Sequence, residues 1–111
     1  MAPTTEAIAI LGSTGSIGTS VLDVVDRLGG RFRVAALAAG SNMSLLAAQV
    51  KKYRPALVSV GDKRNVERIR ELSRPWRAKV VHGPEGAAEV ARAAGEDIVV
   101  SAITARSRFA P

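Results

Sequence analysis

The sequence contains no cysteine and a single histidine. Without cysteine, disulfides, thiolate metal sites and cysteine nucleophiles are excluded. Aromatic residues make up 4% of the chain, too few for the stacking platforms that bind single-stranded nucleic acid. The chain has no apolar run of about 18 residues, as a transmembrane helix requires, and the N-terminus lacks the charged segment of a signal peptide. These absences predict a cytoplasmic protein without a membrane partner.

The charge of the chain is unbalanced, with a formal net charge of +6. Such an excess permits binding to nucleic acid, membranes or phosphorylated ligands. Its densest part, residues 63–77, also contains Glu67 and Glu71. We therefore interpret this segment as a solvated helix face, with a polyanion-binding surface as the alternative.

What the sequence does contain is a regular alternation of short apolar runs and helix-period segments. The apolar runs predict strands at 7–11, 32–38, 57–60, 79–82 and 98–102 or 103. The segments between them predict helices, the first burying a face of Ile17, Val21, Val24, Val25 and Leu28. Strands and helices that alternate with short turns form a parallel sheet covered on both faces. The sequence thus predicts an α/β fold, a Rossmann-like doubly wound parallel sheet of about five strands in the order 3-2-1-4-5.

Glycines follow the first predicted strand at Gly12, Gly15 and Gly18. Gly12 can leave the strand with positive φ, Gly15 lets a pyrophosphate approach, and Gly18 lets the helix pack tightly. Nearby serine and threonine hydroxyls can cap the helix or bond phosphate oxygens. This pattern predicts a dinucleotide site at the carboxyl edge of the sheet, with a purely structural glycine turn as the alternative.

The end of the second strand carries no carboxylate. Dinucleotide folds that prefer NAD place an acidic residue there for the ribose 2′-hydroxyl. Here the turn reads Ala-Gly-Ser-Asn at 39–42, which favours NADP because nothing repels a 2′-phosphate. The alternative is that these residues form only a turn.

Candidate catalytic and metal-binding side chains are scarce. Tyr53 has leucine rather than lysine four residues later, which excludes the tyrosine–lysine pair of short-chain dehydrogenases. His82 is expected to be a solvent-exposed strand residue, and Asp23 and Asp26 to face solvent from the first helix. The sequence therefore predicts neither a catalytic residue nor a metal ligand in this chain.

Four stretches carry a closer resemblance, namely ILGSTGSIGTSVLDVVDR (10–27), RFRVAALAAGSN (31–42), RPALVSV (54–60) and DIVVSAI (97–103). Together they resemble the N-terminal domain of the 1-deoxy-D-xylulose 5-phosphate reductoisomerases. The resemblance implies an NADPH-dependent oxidoreductase, which also needs a divalent metal, Mg or Mn. It implies conversion of 1-deoxy-D-xylulose 5-phosphate to 2-C-methyl-D-erythritol 4-phosphate in non-mevalonate isoprenoid biosynthesis, by a homodimer.

The resemblance also implies which residues contact the cofactor. Besides Gly12 and Gly18, it places NADPH contacts at Thr14, Gly15, Ser16, Ile17, Gly40, Ser41 and Asn42, and puts Ala102 near the nicotinamide. Ser41 stands where many members carry a basic residue that could meet the 2′-phosphate.

The chain departs from the family pattern after the fifth strand. Where a Gly-x-x-Gly-Leu-x-Pro stretch is expected, the sequence reads ARSRFAP at 105–111. We therefore expect an NADPH-binding domain over 1–103 and a divergent tail over 104–111, with the catalytic and C-terminal domains absent and the chain alone inactive. Two alternatives are a non-catalytic basic module that binds nucleotides or another partner, and a fragment that folds poorly.

Overall fold

A computed structural model describes residues 6–40, 42–93 and 98–101 of the chain. Strands and helices alternate as the sequence predicts. The strands are β1 (Glu6–Leu11), β2 (Phe32–Ala39), β3 (Leu57–Val60), β4 (Lys79–His82) and β5 (Ile98–Ser101). The α-helices are α1 (Ser16–Arg27), α2 (Met43–Tyr53), α3 (Val66–Leu72) and α4 (Gly83–Ala93). Single 3-10 turns at Lys63–Asn65 and Arg74–Trp76 flank α3.

All the strand pairings are parallel and form one five-stranded sheet. This confirms the α/β, Rossmann-like fold. The predicted strand order 3-2-1-4-5 is wrong, because the observed order is β4-β3-β2-β1-β5. β4 extends the sheet beyond β3, and β5 rather than β4 lies beside β1.

The packing of α3 explains the difference in order. Ile69 of α3 is fully buried in the same core cluster as Leu46 of α2, so both helices cover one face of the sheet. A right-handed crossover on that face carries the chain outward to β4. The chain then returns through α4 across the opposite face, where Val90 is buried against β1 and β2.

The two faces of the sheet are built from side chains of different size. The face under α1, α2 and α3 is lined by isoleucine, leucine and valine. The face under α4 is mostly alanine, contributed by Ala7, Ala9, Ala35, Ala36 and Ala38. Gly86 of α4 faces this layer so closely that an added Cβ would lie 2.9 Å from Cγ2 of Val81. Small residues on both sides therefore bring α4 close to the strands.

The buried side of α1 is rotated from the predicted one. Leu22 and Val25 are buried, whereas Ile17 and Val24 are each 52% exposed. Gly18 is buried on the same side as Leu22 and Val25, at spacings of four and three residues. Because Gly18 must face the preceding turn, it fixes the rotation of the helix. α2 and α3 face the same core cluster with the apolar residues that recur at helical spacing, namely Leu46, Val50 and Tyr53 in α2 and Val66, Ile69 and Leu72 in α3.

Within residues 6–40, 42–93 and 98–101, the helices are too short or too polar to cross a bilayer.

Candidate cofactor site

The candidate site lies at the carboxyl edge of the sheet, beside β1, where the strand order reverses. β2 flanks β1 on one side and β5 on the other. Ligands of open α/β sheets bind at such a reversal of strand order. The corrected strand order leaves this position unchanged, since β1 remains the strand at which the order reverses.

The turn after β1 is anchored by its backbone. Gly12 has φ +82°, which confirms the expected departure from the strand. The N–H groups of Gly12 and Ser13 both donate to the carbonyl oxygen of Ala38, at 2.8 and 3.0 Å. A Cβ on Gly18 would overlap the carbonyl oxygen of Gly12 and lie 2.7 Å from Cα of Ser13. The helix therefore starts in direct contact with the turn, as predicted for Gly18.

The start of α1 is open to solvent. Gly15 is the N-cap residue, is exposed, and has an extended backbone with φ −78°. No side chain caps this helix, so of the two roles predicted for the nearby hydroxyls the structure excludes the cap. Among the described residues, the N–H groups of Thr14, Ser16 and Ile17 have no hydrogen-bond partner. Free N–H groups at the positive end of a helix attract anions, phosphate included.

The second segment predicted to contact the cofactor follows β2. Gly40 is exposed at the strand end, and Asn42 caps α2 by accepting a hydrogen bond at Oδ1 from the Leu45 N–H, at 3.1 Å. Ser44 lies inside α2, so Asn42 rather than Ser44 caps the helix. Ser41 and Ala102 lie outside the described residues. Positions 40 and 42–45 carry no carboxylate.

A pocket of about 330 Å³ opens between the strand ends and α4. Gly12 and Gly40, both predicted from the sequence, lie on its wall. Its remaining lining residues are Ala38, Ala39, Ser59, Val60, Gly61, Gly83, Pro84 and Ala87. Sequence reasoning missed the part supplied by β3, by the glycine after it and by α4. The signal available for it was that Gly61 and Gly83 directly follow apolar runs, as Gly12 and Gly40 do.

An acidic side chain stands next to this pocket. Asp62 follows Gly61, and Arg64 donates to it from Nη2 at 2.7 Å and from its backbone N–H at 2.9 Å. These hydrogen bonds, the side-chain one first, hold the pKa of the Asp62 carboxyl below its usual value. The negative charge of Asp62 is thus matched by a cation on its own loop.

Comparison with known proteins decides the family. The family model described as 1-deoxy-D-xylulose 5-phosphate reductoisomerase matches residues 8–111. The chain belongs to the 1-deoxy-D-xylulose 5-phosphate reductoisomerase family. A reductoisomerase of Pelodictyon phaeoclathratiforme is 47% identical over 105 residues, covering 95% of this chain and 28% of that protein. A chloroplastic reductoisomerase of Oryza sativa subsp. japonica is 43% identical over 106 residues, and this match covers 94% of the chain and 22% of that protein.

Solved reductoisomerases share the fold. One, in complex with NADPH, fosmidomycin and magnesium, superposes with a TM-score of 0.77 at 30% identity, over 88% of this chain and 24% of the other. The Zymomonas mobilis reductoisomerase in complex with NADPH superposes with a TM-score of 0.71 at 28% identity. That match covers 79% of this chain and 23% of the other. The chain thus spans about a quarter of the length of the reductoisomerases it matches.

Other polar side chains of this family member have structural partners away from the pocket. Asp23 pairs with Arg27 on α1 at 3.1 Å. Asp26 accepts hydrogen bonds from Lys52 at 2.7 Å and Tyr53 at 2.9 Å. His82 is exposed at the end of β4, as predicted. None of these side chains lines the pocket.

Three of the six cations in the basic segment 63–77, all described in the structure, are paired with acids. Arg70 pairs with Glu67 and Arg74 with Glu71, each within α3 and its C-terminal turn. Lys79, on the neighbouring strand, pairs with Glu89 of α4 at 2.7 Å. This pairing favours a solvated, charge-matched face over a surface that binds polyanions.

Proposed function

We propose that this chain binds NADPH as the cofactor-binding part of a 1-deoxy-D-xylulose 5-phosphate reductoisomerase. The observation that carries the proposal is the open start of α1. There Gly15 presents no side chain, and the N–H groups of Thr14, Ser16 and Ile17 are free within the described residues. Family membership supplies the reaction, conversion of 1-deoxy-D-xylulose 5-phosphate to 2-C-methyl-D-erythritol 4-phosphate.

The shape of the site fits a dinucleotide. The pyrophosphate would lie against the turn, where backbone donors and the helix dipole favour negative charge. The adenosine half would extend from Gly12 toward Gly40, along the pocket of about 330 Å³. The 2′-phosphate would then lie at Gly40, Ser41 and Asn42, where no carboxylate repels it. Ala102 would lie on the nicotinamide side.

The chemistry is divided between this chain and the rest of the enzyme. Bound NADPH supplies the hydride, and the residues of this chain bind and orient it. The described residues contain no cluster of three or more histidine or acidic side chains that could hold a metal ion. We therefore propose that the Mg or Mn ion and the substrate bind to the parts of the related reductoisomerases that this chain does not match. We expect these 111 residues to be inactive alone.

A cytoplasmic location and a homodimeric enzyme are also part of the proposal. Both rest on the sequence and on the family resemblance. Light scattering of the purified chain would show whether these residues suffice for the dimer.

Thermal unfolding with and without NADPH tests the proposal. A ligand present at about 100 times its Kd stabilises the folded state by about 2.7 kcal/mol. For a chain of this size, that raises Tm by about 10 °C. NADH serves as the matched control and should give a much smaller shift, because it lacks the 2′-phosphate.

A cooperative melt that NADPH does not move would contradict the proposal. If the same chain bound nucleic acid with a steep salt dependence, the non-catalytic basic module would be the better interpretation. A broad, non-cooperative melt would favour the poorly folding fragment instead.

A further inference from the structure

Gln49 carries a buried amide that reaches from α2 to the glycine-containing turn. The side chain is 6% exposed. Its Nε2 donates a hydrogen bond to the carbonyl oxygen of Ser13, 2.8 Å away and 36 residues earlier in the chain. Ser13 itself is fully buried. The middle of the turn is therefore held from inside the protein by a side chain of another helix.

Gln49 and Ser13 satisfy each other's polar atoms only in part. Within the described residues, Oε1 of Gln49 and Oγ of Ser13 are buried without hydrogen-bond partners. Buried polar atoms without partners are unfavourable for folding. The hydrogen bond that the amide does make supplies a donor to the Ser13 carbonyl oxygen. This bond therefore fixes the direction of that carbonyl group.

The geometry of a peptide group connects Gln49 to the ligand side of the turn. In a planar trans peptide the C=O of one residue and the N–H of the next point in opposite directions. The bond from Gln49 turns the Ser13 carbonyl toward α2. The Thr14 N–H is thereby directed away from α2, and it has no partner among the described residues.

The bonds to Ala38 anchor the peptides before Ser13 and do not fix the peptide after it. The Ser13–Thr14 peptide turns about ψ of Ser13 and φ of Thr14, and among the described residues Gln49 is its hydrogen-bond partner. Rotation would direct a carbonyl oxygen, rather than an N–H, toward an anionic ligand.

We propose that Gln49 is a positioning residue that fixes the Ser13–Thr14 peptide, so that the Thr14 N–H donates to the cofactor pyrophosphate. This inference rests on the proposed function and adds to it a residue outside the glycine motif. Gln49 acts only through the turn, so its effect is confined to ligands that carry a pyrophosphate. Ligands that reach only the segment after β2 do not depend on it.

Substitution of Gln49 by methionine tests the inference. Gln49→Met keeps the shape of the side chain and removes its donor. The dissociation constant of NADPH should rise about tenfold, as expected for the loss of one well-placed hydrogen bond. The constant for adenosine 2′-monophosphate, which lacks a pyrophosphate, should stay unchanged. Tyr53→Phe is the matched control, because it removes a hydrogen bond that the same helix makes to Asp26, away from the turn. The dissociation constants of NADPH and of adenosine 2′-monophosphate should both stay unchanged in this variant.

Unchanged NADPH binding in Gln49→Met, or an equal loss for both ligands, would overturn the inference. A second measurement uses the unmodified chain and so does not depend on the variant folding. In its amide NMR spectrum, NADPH should shift the Thr14 proton strongly downfield and adenosine 2′-monophosphate should not. Absence of that shift in a chain that binds NADPH would also overturn the inference.

Failure of the proposed function gives a different result. An unmodified chain that folds but binds no NADPH would refute the proposed function and the ligand part of this inference together. The ligand-free spectra of the unmodified chain and Gln49→Met then decide whether Gln49 orders the turn. Equal backbone order parameters at Ser13 and Thr14 would overturn that part too.

Discussion

The phenolic hydroxyl of Tyr53 donates a hydrogen bond to Oδ1 of Asp26 at 2.9 Å and so joins the C-terminal turns of α2 and α1. Lys52 donates to the other carboxylate oxygen at 2.7 Å. The hydrogen bond from Lys52, with a further contribution from Tyr53, holds the pKa of Asp26 below its usual value, against a smaller opposing effect of burial.

The lowered pKa of Asp26 predicts an acid-sensitive contribution to stability. Because the folded-state pKa lies below the unfolded value of about 3.8, the contribution is present above that pH and is lost as pH falls through the folded pKa. Asp26→Asn should therefore melt a few degrees lower than the parent at pH 7. The difference between the two melting temperatures, measured by circular dichroism, should shrink as pH falls below about 3.8.

Asp23→Asn is the control for that comparison. Its pair with Arg27 lies on the exposed side of α1, where such pairs contribute little. If Asp23→Asn lowered the melting temperature at pH 7 as much as Asp26→Asn, the effect would come from the overall charge of the helix and not from the link between Asp26 and α2.

Gly18 and Gly15 should respond differently to alanine. At Gly18 the added methyl group overlaps the backbone of the turn, so Gly18→Ala should lower the free energy of unfolding by about 2 kcal/mol. At Gly15 the added Cβ would touch, among the described residues, only the carbonyl oxygen of Gly12, at 3.5 Å. Gly15→Ala should keep the melting temperature and weaken NADPH binding, because the methyl group occupies space that a pyrophosphate needs. Equal melting temperatures for the two variants would contradict this assignment of roles.

Ser41 is the position at which the preference for NADPH should be adjustable. Ser41→Arg supplies the cation that the turn lacks, and a charge-assisted hydrogen bond to the 2′-phosphate should tighten NADPH binding about tenfold. NADH binding should not change. Titrations at low and high salt check the mechanism, since the gain should shrink as screening increases.

Trp76 should contribute to stability through its indole N–H. Nε1 donates to the carbonyl oxygen of Pro55 at 2.8 Å, and the ring packs on the core. Trp76→Phe leaves that oxygen without its partner and should cost about 1 kcal/mol in urea unfolding. Lys79→Ala, which removes an ion pair with Glu89 on the surface, should change stability by less than about 0.5 kcal/mol.

The sequence predicts the strands well because their limits are set locally. β3 and β4 begin and end at the predicted residues. Pro55 and Gly61 flank β3, and Gly83 follows β4, so the chain itself marks these limits. Turn residues of this kind act over one or two positions, which is the range that a sequence pattern can resolve.

The strand order and the rotation of α1 depend instead on contacts between distant segments. The alternation of strands and helices is the same whether β4 joins the sheet beside β1 or beside β3. The burial of Ile69 with Leu46 decides between them. Likewise, Ile17 and Val24 fit an apolar helix stripe, but the contact of Gly18 with the turn directs them to solvent.

The candidate site divides in the same way. The turn from Gly12 to Gly18 can be found from the sequence because its glycines are three residues apart. The hydrogen bond from Gln49 spans 36 residues, and no spacing rule connects glutamine to serine over that distance. The walls supplied by Ser59 and Pro84 likewise become visible only once the strands are assembled.

The alanine layer beneath α4 has a consequence for how this family can vary. Ala38 and Ala87 line the pocket, while Ala9 and Ala36 lie fully buried in the same layer. A larger residue at Ala9 or Ala36 would move α4 away from the sheet and widen the pocket. The volume of the pocket therefore depends partly on side chains that do not contact a ligand. Substitutions at these buried positions would change how well a ligand fits the pocket.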